Sequence, residues 1–157
     1  MSDMGSIRID VELENPRDFG ARRIVPSVLV DTGAELSCFP AVVLETLGIA
    51  RRQLRRFRQA DGTILERWTG VAIVYAAGAS TADDVIFGEA GDLVLLGSRS
   101  LEGLNLRIDP IARQLSDAGP MPLAIAVKGC CSPRLAQNVP PRRFSHFRRA
   151  ATGKARK

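Results

Sequence analysis

The sequence predicts an all-β fold: a small closed body of short strands with one or two short helices. Three observations support this prediction. Apolar and polar residues alternate over Ile7–Leu13, which is the two-residue period of a half-buried strand. Branched apolar residues crowd Ile24–Val30, as in a covered strand. Turn-forming pairs such as Asp61-Gly62 and Asp109-Pro110 recur between the apolar runs.

The remaining elements follow from local signals along the chain. Asn15–Asp18 is a turn signal, and Pro40 is placed to open a short helix that Gly48 ends. Gln59–Tyr75 is predicted to be a hairpin that turns at Asp61-Gly62, with Trp68 filling the core. Later segments are predicted to be a loop (Ala76–Ala82), strands (Val85–Phe87 and Leu93–Leu96), a helix capped by Ser98 (Arg99–Leu104) and a terminal hairpin (Leu106–Leu115).

Charge divides the 157 residues into a body and a tail. Residues 1–127 hold 13 Lys or Arg and 17 Asp or Glu, whereas residues 128–157 hold nine basic residues and no acidic one. We expect one domain over residues 1–127 and a basic, disordered tail over 128–157. The tail is expected to be solubilising, with weak contact to nucleic acid or an anionic surface as the alternative. The arginine-rich segment Arg51–Arg58 is expected to be a solvated connector, with a nucleic-acid patch as the alternative.

Several classes of protein are disfavoured by composition. No apolar run approaches the roughly 20 residues of a membrane span, and the N-terminus lacks the pattern of a signal peptide, so we expect a cytoplasmic protein. The cysteines are Cys38, Cys130 and Cys131, and the single histidine is His146. This set predicts unpaired thiols and disfavours a zinc site.

The candidate site is the tetrapeptide Asp31–Ala34, which follows the second apolar strand. An acid at the end of a covered strand needs hydrogen-bond partners, because leaving water is costly. Small residues after it allow backbone and substrate to approach closely. This layout is typical of a catalytic carboxylate on a tight loop, although the same tripeptide also makes ordinary turns.

Over about residues 7–116 the chain resembles the retropepsin-like aspartic proteases, and more closely their small bacterial single-domain branch than the viral enzymes. The matching motifs are D-T-G-A at Asp31–Ala34, Pro40 before a helix, A-D-G at Ala60–Gly62, and L-L-G at Leu95–Gly97 before a short helix and I-D-P. The resemblance implies a small acid-protease barrel that forms one half of a dimeric enzyme.

The implied activity is that of an aspartic endopeptidase without cofactor or metal. Two carboxylates that lie close together share one proton, and together they activate a water for attack on a peptide bond. This chain has one D-T-G and is too short for a two-domain arrangement. Asp31 would therefore meet Asp31 of a second copy in a homodimer.

The resemblance also implies roles for neighbouring residues. Thr32 would bond across the dimer axis, Gly33 would approach the substrate, and Ala34 would leave room beside it. A hairpin around Asp61 and Gly62 would be the flap. The element Leu95, Leu96 and Gly97 would support the catalytic loop, and Leu123–Val127 would supply a dimer strand.

Two positions depart from the viral pattern. Glu35 and Ser98 stand where viral members usually have an Asp and an Arg that pair, and Arg99 follows one position later. A Glu35–Arg99 pair is the expected substitute. Two other functions stay open: a catalytically inactive module of the same fold that binds or dimerises, and a small β-barrel that binds nucleic acid through its basic tail.

Overall fold

The computed structural model describes residues 6–122. They form one compact unit that ends at Met121, and Pro122 begins a second unit of which only that residue is described. The strand predicted at Leu123–Val127, the tail predicted over residues 128–157, and Cys130, Cys131 and His146 lie outside the described residues.

Strands dominate the described residues, which confirms the all-β prediction. The strands are β1 (Arg8–Asn15), β2 (Asp18–Val30), β3 (Ser37–Pro40), β4 (Gln53–Arg58), β5 (Ile64–Ala76), β6 (Ala79–Gly88), β7 (Leu95–Leu96), β8 (Leu106–Asp109) and β9 (Gln114–Asp117). The two helices are α1 (Ala41–Thr46) and α2 (Ser98–Gly103). No helix among residues 6–122 is long and apolar enough to cross a membrane.

The strands of the main sheet are joined in a ring. Their order is β1-β2-β7-β3-β6-β5-β4, and β1 also pairs with β5, so that six strands close on themselves and β4 is added outside β5. β8 and β9 form a separate hairpin. The apolar core lies among the ring strands and both helices, and its largest fully buried side chains include Phe39, Phe87, Leu13, Leu44 and Leu96.

A buried carboxylate marks the place where the ring closes. Glu14 on β1 accepts hydrogen bonds from the Gly20 N–H at 2.6 Å and from the Tyr75 hydroxyl at 2.5 Å. These two donors, with the nearby Arg22 guanidinium, hold the pKa of Glu14 below its usual value. Glu14 thus joins β1, β2 and β5 through one ionised side chain.

The predicted hairpin at Gln59–Tyr75 is wrong in extent. The arginine-rich segment predicted to be a connector contributes strand β4, and β5 is a single strand of 13 residues. The two strands are paired up to Arg58 and Ile64, and the connection is closed by a bond from the Gln59 N–H to the Thr63 carbonyl at 2.8 Å, so the turn does contain Asp61-Gly62 as predicted. Gly70 lies within β5 and pairs with Val85 of β6 in a continuous register.

The prediction of a loop over Ala76–Ala82 is also wrong. Only Ala77 and Gly78 leave the strands, both with positive φ (49° and 80°), and β6 begins at Ala79. A two-residue turn with left-handed residues matches the twist of paired strands, so small residues here produce a tight hairpin.

The helices lie close to where the sequence places them. Pro40 precedes α1 at the N-cap position, and Gly48 follows with a φ of +68°, as a helix-ending glycine does. The second helix, α2, begins at Ser98, so Gly97 occupies the N-cap position and Ser98 does not cap the helix as predicted.

Trp68 is not a core residue, contrary to the prediction. Its side chain is 38% exposed, and its cross-strand neighbour Leu54 is 48% exposed. Both belong to the outer face of the β4–β5 hairpin, since the half-buried positions of β4 are Arg55 and Phe57.

Candidate active site

Asp31 lies immediately after β2, at the start of a tight loop. Its N–H donates to the Leu96 carbonyl at 3.0 Å, and its Oδ1 accepts from the Gly33 N–H at 2.8 Å. The Ala34 N–H closes the turn on the Asp31 carbonyl at 3.3 Å. The carboxylate is half-buried, and its Oδ2 has no hydrogen-bond partner among residues 6–122. One oxygen is therefore fixed and the other is available.

The short strand β7 holds the two sides of this loop together. It pairs in parallel with the end of β2, and antiparallel with β3 through Cys38 and Leu95. The chain therefore leaves β2, turns through Asp31–Leu36 and returns as β3 on the other side of β7. Successive side chains of β7 point to opposite faces of the sheet: Leu96 is fully buried in the core, and Leu95 is half-buried and lines a cleft on the other face.

The residues after β7 contact the same loop through their backbone. The Ser98 N–H donates to the Ala34 carbonyl at 2.8 Å, and the Arg99 N–H donates to the Glu35 carbonyl at 3.2 Å. Gly97 fits because a Cβ there would lie 2.7 Å from the Leu36 carbonyl carbon. The structure thus brings Leu95–Gly97 against Asp31–Ala34.

A buried chain of polar groups supports the loop from behind. The Gly97 N–H donates to Ser37 Oγ at 2.9 Å, Ser37 and Ser100 share a bond of 2.6 Å, and the Ser100 hydroxyl donates to Asp83 Oδ2 at 2.8 Å. The Ser100 hydroxyl donates its only proton to Asp83. It must therefore accept the bond that it shares with Ser37, which makes Ser37 the donor. Sequence reasoning missed this chain, since its members are dispersed along the sequence and none belongs to a recognisable motif.

Replacing Asp83 by alanine is expected to lower the free energy of unfolding by about 3 kcal/mol, because it removes the buried acceptor of Ser100 and the partner of Arg99. Asp83→Asn keeps an acceptor for Ser100, so we expect a smaller loss of about 1 kcal/mol. Urea unfolding at an unchanged m-value measures the free energy of unfolding of both variants. Asp18→Ala, at an exposed position, is the control, and an equal midpoint for Asp83→Ala and Asp18→Ala would contradict the prediction.

The expected ion pair between the Glu35 and Arg99 side chains does not form. The Arg99 guanidinium lies 3.2 Å from Asp83 Oδ1 and 3.9 Å from Asp84 Oδ2, and Glu35 is exposed. Asp83 is a buried carboxylate that already needs a partner, so it takes the arginine. Only the backbone bond joins Arg99 to Glu35.

A cleft of about 560 Å³ separates the loop from strand β4. Asp61 and Gly62, predicted to be the flap, lie at the exposed tip of the β4–β5 hairpin and do not line this cleft. The Thr63 N–H at 2.8 Å holds the pKa of Asp61 below its usual value. The lining residues are Gly33, Ala34, Glu35, Leu36 and Cys38 on one side, Arg55, Arg56, Phe57 and Arg58 on the other, with Ile86 and Leu95.

The Cys38 thiol is buried between the cleft and the core. Burial raises its pKa to about 12, and the nearby Asp92 carboxylate adds to the rise. The thiolate, which is the nucleophile, is therefore disfavoured at neutral pH.

We expect Cys38 to remain unmodified by iodoacetamide at pH 8 in the folded protein, and to react within minutes once the protein is unfolded in guanidinium. Peptide mapping by mass spectrometry reads Cys38 separately from the two other cysteines. Rapid alkylation of Cys38 in the folded state would show that the thiol is accessible and ionised.

Thr32 and Gly33 are exposed at the tip of the loop. The Thr32 hydroxyl has no hydrogen-bond partner within the described range, residues 6–122. In the same range there is no group of three or more His, Cys, Asp or Glu side chains that could hold a metal ion. Neither the comparison with protein-family models nor the search of curated proteins finds a match.

Proposed function

We propose that this chain is one protomer of a homodimeric aspartic endopeptidase with the retropepsin-like acid-protease barrel. The observation that carries the proposal is the Asp31 loop. A half-buried carboxylate is fixed by the Gly33 N–H, leaves one oxygen free, and lies on a loop that borders a cleft. The cytoplasmic location expected from the sequence is part of the same proposal.

The chemistry requires a second carboxylate beside Asp31. Two carboxylates that face each other cannot both be fully charged, so they share one proton, and the two pKa values belong to the pair. The ionised group takes a proton from a water, whose oxygen attacks the scissile carbonyl carbon. The protonated group polarises the carbonyl oxygen. The C–N bond then breaks, and the amine leaves with a proton from the pair.

Within the part of the protomer that the structure describes, Asp31 has no such partner. Among residues 6–122, no second carboxylate contacts it. A two-fold axis through the exposed loop tip would bring a second Asp31 to the first, and would give the unpartnered Thr32 hydroxyl an acceptor in the other protomer. The strand predicted at Leu123–Val127 remains our expectation for the dimer sheet.

Gly33 and Ala34 have positioning roles in this proposal. The Gly33 N–H restrains rotation of the Asp31 carboxylate, which keeps the free oxygen directed at the water. Ala34 leaves space for the substrate at the cleft wall. Leu95, Leu96 and Gly97 hold the loop rigid from the protein side.

The first experiment measures cleavage and mass together. Purified protein is incubated with a mixed peptide library at mildly acidic pH over a hundredfold range of protein concentration, and sedimentation gives the mass at each concentration. We expect the rate per protomer to fall as the dimer dissociates on dilution. Activity that follows a monomer would contradict the shared site, and a folded dimer that cuts nothing would favour the binding module.

A further inference from the structure

Strand β4 forms an open edge of the main sheet. It stands last in the strand order, and among residues 6–122 it pairs with β5 alone. Its register with β5 is regular from Gln53 to Arg58, and it contains no proline. A regular edge strand of this kind offers a row of backbone donors and acceptors to another extended chain.

One bond at the turn shows which backbone groups of β4 point outward. The Gln59 N–H donates to the Thr63 carbonyl at 2.8 Å, so these two residues are a hydrogen-bonded pair. Such pairs alternate along an antiparallel ladder, so the odd-numbered residues of β4 direct their backbone groups to β5. The even-numbered residues direct their N–H and C=O groups to the open edge, where none has a partner among residues 6–122: Leu54, Arg56 and Arg58.

The side chains of these three residues lie on the exposed face of the β4–β5 hairpin. Leu54 stands opposite Trp68, and Arg58 stands opposite Ile64. All three apolar side chains of this group are exposed. A strand added at the edge of β4 would therefore meet both backbone groups and apolar surface.

The charge of this face is basic. Arg58 makes no side-chain ion pair or hydrogen bond with any other residue of the described range, 6–122. The Arg56 guanidinium lies 3.9 Å from the Glu66 carboxylate, and both side chains are exposed, so this pair is weak. The two guanidinium groups attract acidic side chains to the edge.

These features favour one kind of occupant. If β4 paired with β4 of a second copy about Arg56, two Arg56 side chains would stand directly opposite each other, which is destabilising. The phosphodiester backbone of a nucleic acid offers acceptors but no donors for the open carbonyl groups. An extended peptide supplies both N–H and C=O groups, and acidic side chains on it complement the arginines.

We propose that the open edge of β4 binds an acidic, extended peptide segment of another protein as an added antiparallel strand. The ligand residues opposite Arg58, Arg56 and Leu54 are separated by one residue each, which gives the pattern acidic-x-acidic-x-apolar. Because neither Asp31 nor its loop takes part, the inference does not depend on the proposed endopeptidase function.

The first test measures binding of a labelled peptide with the core Glu-Thr-Glu-Thr-Leu to the full chain at pH 7, by fluorescence anisotropy. A peptide with Lys in place of both Glu residues is expected to bind at least about tenfold more weakly at low salt, with a smaller difference at high salt. The Asp31→Asn variant should bind the Glu peptide as the wild type does, which excludes cleavage as a source of the signal.

Backbone methylation of the peptide tests the added strand itself. The N–H of the second Glu faces the Arg56 carbonyl, so its methylation is expected to weaken binding about tenfold. The N–H of each Thr points away from β4 in this register. Methylation of a Thr is therefore the matched control, and its effect should stay within about twofold.

Variants of the protein identify the arginines responsible. Arg58→Glu is expected to remove the preference for the Glu peptide, and the double variant Arg56→Glu with Arg58→Glu is expected to prefer the Lys peptide. The matched control is Arg23→Glu, at an exposed arginine of β2, a strand that does not pair with β4. Its preference should equal that of the wild type.

Amide hydrogen exchange, followed by NMR, locates the bound strand. In the protein alone, the N–H groups of Leu54, Arg56 and Arg58 should exchange quickly, whereas those of Arg55 and Phe57 should be protected by β5. A saturating amount of the Glu peptide is expected to slow exchange at the first three amides.

Four results would overturn the proposal. Protection of the three edge amides without peptide would show that a second copy or another part of this chain already covers the edge. Equal effects of Glu and Thr methylation would show attraction between charges without strand addition. Absence of peptide binding, or binding of a single-stranded oligonucleotide in its place, would also contradict it. None of these results bears on hydrolysis at Asp31.

Discussion

Replacing Asp31 by asparagine is expected to reduce peptide hydrolysis by about 10³-fold or more, while the fold and the dimer survive. The amide is nearly isosteric, and its oxygen can still accept the Gly33 N–H. It cannot share a proton with a second carboxylate, so neither the base nor the acid of the mechanism remains. Single peptides cut by the wild type provide the rate, and sedimentation provides the mass.

The control for this variant is Asp18→Asn, at an exposed position outside the cleft and away from the Asp31 loop and the predicted flap. Its activity should stay within about twofold of the wild type. Hydrolysis by Asp31→Asn at the wild-type rate would exclude this carboxylate as the catalyst.

Mixing the two proteins tests whether the site is shared. When Asp31→Asn is added in excess and subunits exchange, wild-type protomers pass into mixed dimers that hold a single carboxylate. Activity should therefore fall as the variant is added, although the amount of wild-type protein is unchanged. If activity is insensitive to the added variant, each protomer carries a complete site and the dimer mechanism is wrong.

Replacing Gly97 by alanine is expected to lower the free energy of unfolding by about 1–3 kcal/mol, and to reduce the activity of the protein that still folds. The φ of Gly97 is −84°, so the cause is not backbone strain. A Cβ there would lie 2.7 Å from the Leu36 carbonyl carbon and 2.8 Å from the Glu35 carbonyl oxygen. Both are backbone atoms of the Asp31 loop segment, so relief of the overlap displaces that loop.

The control is Ser98→Ala at the next position. Its side chain is half-buried and makes no hydrogen bond within residues 6–122, so the change in stability should stay within about 0.5 kcal/mol. Denaturant midpoints at constant m-value compare the two variants. The same midpoint for Gly97→Ala and Ser98→Ala would show that a Cβ at position 97 does not overlap with the loop.

The sequence predicts those parts of the fold that depend on local patterns. The alternation in β1, the apolar end of β2, and the Pro40 and Gly48 boundaries of α1 are all local signals, and the structure has them. Strand β4 was missed because arginines occupy both of its faces. Only its pairing with β5 makes Arg55 and Phe57 half-buried.

The candidate site divides in the same way. The motifs at Asp31–Ala34 and Leu95–Gly97 are visible in the sequence, and the structure brings them together. The support from Ser37, Ser100 and Asp83 is not visible, because its bonds link residues 17 and 63 positions apart. The expected role of Arg99 failed for the same reason, since its acidic partner is distant in sequence.

The two-residue strand β7 also has a consequence for the order in which the protein is completed. The loop that carries Asp31 is fixed by hydrogen bonds to Leu96 and to the residues after it, which are translated long after β2 and β3. Pairings between residues so distant in sequence form late in folding, because closing the long loop between them has a large entropic cost. A nascent chain that stops short of Leu95 has the acid but not its support, and so the site becomes ordered only when most of the body has left the ribosome.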